Sequence, residues 1–478
     1  MKINKGHDIY QEIIRQNGLI QNSCNGNHTC GKCKIKVING TVEASDKEKK
    51  ILSFDEIKEG VRLACMHPMI ESDIEIELPD LALMDVVGSG KKRINSSRKK
   101  GLKIAADIGT TTVVVAVIDF ESQKIIKEAK FINPQRVYAM DVIGRIQVCN
   151  EKSVILLQKM ILEKIELEIK EFDGQILEMA ICGNSTMEHI FLGISPKSIG
   201  EYPYLCTFNK RKYVKSGSLF HLKQSFDILV LDNLSAFVGG DIVAGILGLD
   251  LLKKPYSLFI DLGTNGEIAI CNDSNLYSTS AAAGPAFEGG NMTCGTGSIP
   301  GAIYSITLDM DCVHFKTIQN KKAIGICGTG YIEGISELLE KGLIDETGYM
   351  NKSLKINEKI TITQNDVRNF QLAKSAIQTA IEIVCLKSDI KINEIQNVYI
   401  AGGFSSGLNI EALAQLKIIP SVLLEKTLCV GNSAIQGLIK MMCDDTYYML
   451  DEIVKKNQTI VLSKEPLFNE LFLQNMWF

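Results

Sequence analysis

A chain of 478 residues has room for two to four domains and for more than one sizeable core. Its 52 basic and 56 acidic residues are spread along the length to a formal charge of −4; they leave no footprint for nucleic acid, and no apolar run is long enough for membrane insertion. The N-terminal stretch MKINKGHDIYQEII has no apolar core followed by a small-residue cleavage site, so export is not expected. Fourteen cysteines in such a chain point to a reducing, cytoplasmic and anaerobic setting rather than to disulfides.

In chain order, residues 9–17 read as a short helix ending at Gly18 and feeding a cysteine-bearing loop. Four cysteines follow the spacing C-x5-C-x2-C-x31-C: Cys24, Cys30, Cys33 and Cys65. Three thiolates in one glycine-rich loop and a fourth from far along the chain form the ligand pattern of a plant-type [2Fe-2S] cluster. Gly26 and Gly31 suit the tight turns that bring backbone close to inorganic sulfide. Structural zinc is the competing reading of four thiolates, although it usually takes two C-x2-C pairs and only Cys30 and Cys33 form one. His28 and His67 read as loop residues available for partner contact, because cysteines already fill all four ligand positions. The other ten cysteines form no close ligand pair and read mostly as small buried hydrophobes. Residues 34–38 and 74–78 alternate as strands, with short helical or turn text at 46–56. A module over 1–82 is small enough to need a cluster as a staple. Residues 83–101, with VGSGKKRINSSRKKG at their end, then read as a basic, solvated tether.

From Leu102 the text becomes strand, polar turn, strand, with Asp107, Gly109, Thr110 and Thr111 in and before the turn. Hydroxyls and glycine between two apolar strands make a phosphate-cradling hairpin. It is neither a Walker A loop nor a G-x-G-x-x-G fingerprint. The pattern recurs about 154 residues later as Asp261, Gly263, Thr264 and Asn265. Two such hairpins predict homologous lobes, 102–254 and 255–478, facing each other across a cleft. Between them, 156–172 reads as a helix, and 177–193 as a strand, an Asn184-Ser185-Thr186 turn and a helix. Residues 216–232 give no clear element, and 235–249 reads as a helix around Gly239-Gly240-Asp241. Further on come a loop over 325–330 leading into a helix to Lys341, a long helix over 370–387, and a strand delivering Gly402 and Gly403. A turn and helix over 429–443 follow.

The two hairpins, the 325–330 loop and the glycine pair at 402–403 resemble the sugar kinase, heat-shock-70 and actin superfamily. More narrowly, a ferredoxin module ahead of DIGTTT, GNSTMEHIFLG, DLGTNGE, GICGTG and QLAKSAI resembles the ATP-dependent reductive activators of corrinoid proteins, nearly end to end. The resemblance implies an α/β fold: a two-lobed actin-like (ribonuclease H-like) ATPase preceded by a small β-grasp plant-type ferredoxin domain. It implies a [2Fe-2S] cluster, ATP and Mg2+ as cofactors, and one-electron reduction of cob(II)alamin to cob(I)alamin on a methyltransferase corrinoid protein. It also implies a low-potential electron donor upstream and a homodimer. Two departures are expected. The first strand of the ferredoxin sheet has room only in Lys2 to Asn4, and the intermediate domain carried by longer relatives is missing.

On this basis Asp107 and Asp261 are expected to hold Mg2+ through water and to orient the attacking water. Glu267 is a further candidate for water or metal. Gly109, Thr110, Thr111, Gly263, Thr264 and Asn265 are expected at the phosphates. Gly402 and Gly403 let backbone approach adenine or ribose, and Gly328 and Gly330 do so from the opposite wall. Glu333 either binds ribose hydroxyls or caps its helix. His189 reads as a core histidine. The rival activities are a radical-dehydratase type of ATP-driven electron donor, a small-molecule kinase, and a zinc-stapled nucleotide sensor.

Overall fold

The computed structural model describes residues 1–16, 20, 28, 31, 33–78, 101–139, 141–149, 151–172, 174–309, 312–403 and 407–478. Two expected ligands, Cys24 and Cys30, and the tether up to residue 100 lie outside them.

The N-terminal module is a four-stranded sheet, β1 (Lys2–Ile3), β2 (Lys34–Asn39), β3 (Val61–Leu63) and β4 (Ile74–Glu77), in the order β1-β4-β2-β3. Helix α1 (Ile9–Arg15) and the short α2 (Glu48–Ile51) and α3 (Phe54–Lys58) accompany it. Alternation in the strands and the helical spacing of Ile9 and Ile13 send Ile3, Ile9, Ile13, Ile35, Leu63 and Ile76 into one core. The first strand, expected to be missing, is present in residual form. Ile3 is buried, and the pairing with Ile74 and Glu75 is extended by the Met1 amine donating to the Ile76 carbonyl at 2.7 Å and by Lys5 N–H to Asp73 at 2.8 Å. Two residues suffice because the chain is held on both sides of them, by the Met1 amine on backbone and by Lys5 N–H on the Asp73 side chain.

The first lobe carries β5 (Leu102–Ile108), β6 (Thr112–Asp119), β7 (Lys124–Ile132), α4 (Val142–Val148), α5 (Glu151–Ile169), β8 (Ile176–Gly183), α6 (Ser185–Phe191), α7 (Lys197–Gly200), β9 (Lys212–Lys215), β10 (Asp227–Val230) and α8 (Gly240–Gly248). Its sheet runs β7-β6-β5-β8-β10-β9. Both faces are covered, which is why β6 reads TVVVAVID without alternation. The stretch that gave no clear element contains β10. Helix α8 begins later than expected, at Gly240, because the Ser235 hydroxyl accepts from Phe237 N–H and Val238 N–H and holds 235–238 as a turn.

The second lobe carries β11 (Ser257–Leu262), β12 (Gly266–Cys271), β13 (Leu276–Ala281), β14 (Ala302–Asp309), β15 (Cys312–Thr317), β16 (Gly325–Ile326), α9 (Gly328–Glu340), β17 (Leu354–Lys355), β18 (Thr361–Ile362), α10 (Gln364–Ser388), β19 (Asn397–Ala401), α11 (Ile410–Gln415), β20 (Thr427–Gly431), α12 (Ser433–Asp444), α13 (Tyr448–Lys456), β21 (Asn457–Thr459) and α14 (Phe468–Gln474). Its main sheet runs β20-β19-β11-β12-β13-β21. In each lobe an antiparallel β-meander is followed by parallel strands on the far side of its first member, so the repeat in the text is a repeat in topology.

The lobes join where α8 crosses α12. A Cβ on Gly437 would lie 1.8 Å from the Ala244 carbonyl oxygen, and one on Gly248 would lie 2.8 Å from Gly437 N. Glycine is what lets the two backbones approach this closely. Among the described residues no helix is long and apolar enough to cross a membrane. Of the ten cysteines outside the cluster set, Cys149, Cys182, Cys271, Cys327 and Cys385 are buried, whereas Cys312 is exposed.

Candidate functional site

Between the lobes lies a cavity of about 440 Å³. The β5–β6 hairpin contributes Asp107, Gly109, Thr110 and Thr111 to its wall, and the β11–β12 hairpin contributes Asp261, Gly263, Thr264, Asn265 and Glu267. Gly402 and Gly403, just after β19, also line it as expected. Local geometry explains two of the glycines. Gly402 has φ +122°, and a Cβ there would meet the Leu262 carbonyl oxygen at 2.2 Å. Gly403 has nothing within 4 Å of where its Cβ would be, and it presents bare backbone to the cleft.

Gly328, Gly330 and Glu333 do not reach this cavity. The segment expected as a loop is strand β16 followed directly by α9, and both glycines lie in the first turn of that helix. A Cβ on Gly328 would sit 1.6 Å from the Phe287 carbonyl oxygen, and one on Gly330 would sit 2.3 Å from that of Ile303. These glycines let α9 press on protein backbone. The Glu333 carboxylate accepts from Ile306 N–H at 3.3 Å, tying α9 to β14.

Among the cavity residues that were not foreseen are Asp241, Glu288 and Asn432. Asn432 caps α12 by accepting from Ile435 N–H at 2.9 Å and donates its Nδ2 to Asp107 at 2.6 Å across the cleft. Its Gly-Asn-Ser text repeats that of Gly183-Asn184-Ser185, whose Asn184 donates to the Thr110 hydroxyl at 2.9 Å; that recurrence could have found it. Asp241 lies in the first turn of α8, after Gly239 and Gly240. Glu288 accepts from the hydroxyls of Thr264 at 2.8 Å and Thr111 at 3.3 Å.

Burial pushes Asp107 up to about 6, against the pull of Asn432 and Lys130. Burial, then the charges of Asp107 and Glu288, push Asp261 up to about 7. Burial and the charges of Asp107 and Asp261 push Asp241 up to about 8. Burial and the neighbouring Asp241 and Asp261 hold Glu267 well above the usual carboxylate range, although Ser280 donates to it at 3.1 Å. A carboxylate cluster in this condition takes up protons or cations readily. Beneath the first hairpin, the buried Arg145 donates to the carbonyls of Thr110 and Ala139 and braces the turn. His189 is structural, as expected: its Nδ1–H donates to the Ser185 carbonyl at 2.6 Å while Nε2 accepts from Thr207 N–H at 3.0 Å.

In the N-terminal module, Cys33 and Cys65 are buried with their sulfurs 3.3 Å apart. Two thiolates on one tetrahedral metal, at metal–sulfur bonds of about 2.3 Å, stand roughly 3.8 Å apart, so this pair fits a shared iron with a small adjustment. The fourth-ligand segment is pinned from behind. Glu48 accepts from Leu63 N–H at 2.6 Å and Ser45 N–H at 2.7 Å, and its Oε1 lies 2.9 Å from His67 Nε2. Burial pushes the Glu48 carboxyl up, but these partners outweigh it and bring it down to about 2. His67, expected to be free for a partner, is therefore largely buried as a clamp, whereas His28 is exposed.

Twin sheets of one topology, paired Asp-x-Gly-Thr hairpins and a glycine pair over a carboxylate-rich cleft define a two-lobed nucleotide-binding protein of the actin-like ATPase class. A buried cysteine pair in a leading module adds an iron–sulfur domain. Family models describing the C-terminal ASKHA domain of RACo and the RACo middle region match 255–478 and 102–254, and the 2Fe-2S iron–sulfur cluster binding domain matches 2–69. The chain belongs to the RACo family of reductive corrinoid activators. It is 29% identical to the corrinoid activation enzyme RamQ of Eubacterium limosum, over 83% of this chain and 74% of that one. It is 24% identical to the Co(II) methylated amine-specific corrinoid protein reductase of Methanosarcina barkeri, over 77% of this chain and 76% of that one. A solved structure of a reductive activator for a corrinoid, iron–sulfur protein matches with a TM-score of 0.72 at 25% identity, covering 100% of this chain and 96% of that one.

Proposed function

We propose that this protein reduces the cob(II) form of a corrinoid protein to cob(I) in an ATP-dependent step, returning a methyltransferase system to activity. The observation that carries this reading is the union, in one chain, of the buried Cys33–Cys65 pair with an interlobe cleft whose two hairpins place Asp107 and Asp261 on a common cavity. Cys24, Cys30, Cys33 and Cys65 would hold a [2Fe-2S] cluster, which would supply one electron at a time when bound. The rival donors and kinases lose ground because the family match spans both lobes and a kinase has no use for the leading module.

In the cleft, Thr110, Thr111, Thr264 and Asn265 would donate to phosphate oxygens, while Asp107 and Asp261 would hold Mg2+ and orient the attacking water. Ionised carboxylates are needed for this, and a divalent cation supplies the countercharge that brings the raised groups down. Gly402 and Gly403 admit the nucleoside at the end of β19. Each 59 mV against which the electron moves costs about 1.4 kcal/mol, so nucleotide acts by moving the lobes about the α8–α12 crossing and changing how the corrinoid partner is held. The protein works as a homodimer in the cytoplasm with a low-potential donor upstream.

The test is anaerobic absorbance spectroscopy of a cob(II) corrinoid protein mixed with the reduced protein, with and without MgATP. ATP-dependent appearance of the cob(I) spectrum is the expected result. Its absence with corrinoid proteins from several methyl-transfer systems, each shown to be active and with an intact cluster, would refute the proposal.

A further inference from the structure

Glu288 lies outside the Asp-x-Gly-Thr pattern, yet it touches both hairpins. It ends the short turn Pro285–Glu288, and its Oε2 accepts from the Thr264 hydroxyl of its own lobe and from the Thr111 hydroxyl of the other. The backbone beneath it is fixed. Gly289 N–H donates to the Ala286 carbonyl at 3.0 Å, and Gly290 N–H to that of Pro285 at 2.7 Å. Phe287 is buried against Phe370, and its carbonyl fills the place where Gly328 would carry a side chain. The carboxylate, on two rotatable bonds beyond Cβ, is the part free to move.

Each threonine hydroxyl has one proton to donate. If Thr111 and Thr264 give theirs to phosphate, as the proposed function holds, they cannot also give them to Glu288. We propose that Glu288 is a nucleotide-exchanged strut: its carboxylate joins the two phosphate hairpins, and a phosphate group of ATP displaces it by taking the same two hydroxyl protons. The inference rests on the cleft being a nucleotide site. It assigns to Glu288 a positioning role, because a carboxylate that competes with phosphate lowers nucleotide affinity and makes the cross-lobe link depend on whether phosphate is present. Asp107, Asp241, Asp261 and Glu267 share the cavity, so a displaced Glu288, already facing the charges of Arg136 and Arg145, adds to a repulsion that a bound cation would relieve.

The experiment is a titration of the full chain with a non-hydrolysable ATP analogue plus Mg2+, and separately with adenosine, for the wild type, Glu288→Gln and Glu288→Ala. Both variants should bind the ATP analogue about tenfold tighter, the exchange value of a hydrogen bond to a charged group, and adenosine, with no phosphate, should bind each form equally. Glu288→Gln keeps the side chain's shape and serves if the alanine variant folds poorly. Unchanged or weaker analogue binding overturns the inference, and so does an equal change for adenosine, which would mark a structural effect. No saturable analogue binding by the wild type would overturn the nucleotide reading itself, and the inference with it.

Discussion

Replacing Gly437 by alanine tests the joint on which lobe movement depends. The new Cβ would lie 1.8 Å from the Ala244 carbonyl oxygen, 2.6 Å from its carbonyl carbon and 3.1 Å from its Cα, all backbone atoms of α8. No rotamer change can relieve contact with backbone. A carbon–oxygen contact of about 3.3 Å is the close end of what packed elements show, so α12 and α8 must part by roughly 1.5 Å. Overpacking of this kind costs about 1–3 kcal/mol, and the rigid obstacle puts this case near 3 kcal/mol. At about 2–4 °C per kcal/mol for units of this size, the melting temperature should fall by roughly 6–12 °C. Asn432 caps α12 and holds Asp107, so the same shift should weaken MgATP-analogue binding. The assay pairs thermal unfolding by circular dichroism with analogue titration. Gly217→Ala serves as control, because nothing lies within 4 Å of its Cβ position and its melting temperature should stay near the wild type. If Gly437→Ala melts with the wild type and binds the analogue normally, the close crossing of α8 and α12 is not the joint described here.

Cys33→Ala should abolish the visible absorbance of the cluster and its iron and sulfide content while leaving analogue binding intact; native iron content would refute the ligand assignment. Asp107→Asn should lower ATP turnover by at least about 100-fold without loss of the cluster, and turnover near wild type would remove Asp107 from the chemistry. Asp241, at about 8 folded against an ordinary value unfolded, binds a proton in the native state that the unfolded chain has released. The stability this gives is therefore lost progressively from about pH 4, where the unfolded chain releases its proton, to about pH 8 and levels off above it, so without divalent cation the denaturation midpoint should decline across that window. Asp241→Asn should make that decline shallower, leaving the part contributed by Asp107, Asp261 and Glu267, and a variant as pH-dependent as the wild type would show that Asp241 ionises at its ordinary value.

How far the site could be read from the text depended on where each part is encoded. Both hairpins were legible because a glycine turn, its hydroxyls and the preceding aspartate lie within a few residues of one another. Tertiary contact misled at Gly328 and Gly330: their Gly-Thr-Gly text looks like an open nucleotide loop, but β16 feeds α9 without one and the glycines face the backbone of Phe287 and Ile303. His67 failed for a similar reason, since its partner Glu48 is nineteen positions away.

By itself, the sequence determined the order of modules, the cysteine spacing, the repeated hairpins and the glycine pair at the end of β19, because turn chemistry and strand alternation act over a few neighbouring residues. Only the tertiary structure decided that Asp241, Glu288 and Asn432 meet those hairpins, that burial raises the cleft carboxylates, and that α8 and α12 cross at glycine. Desolvation, charge repulsion and close backbone approach depend on segments far apart in the chain being brought together, and no local stretch of residues records that distance.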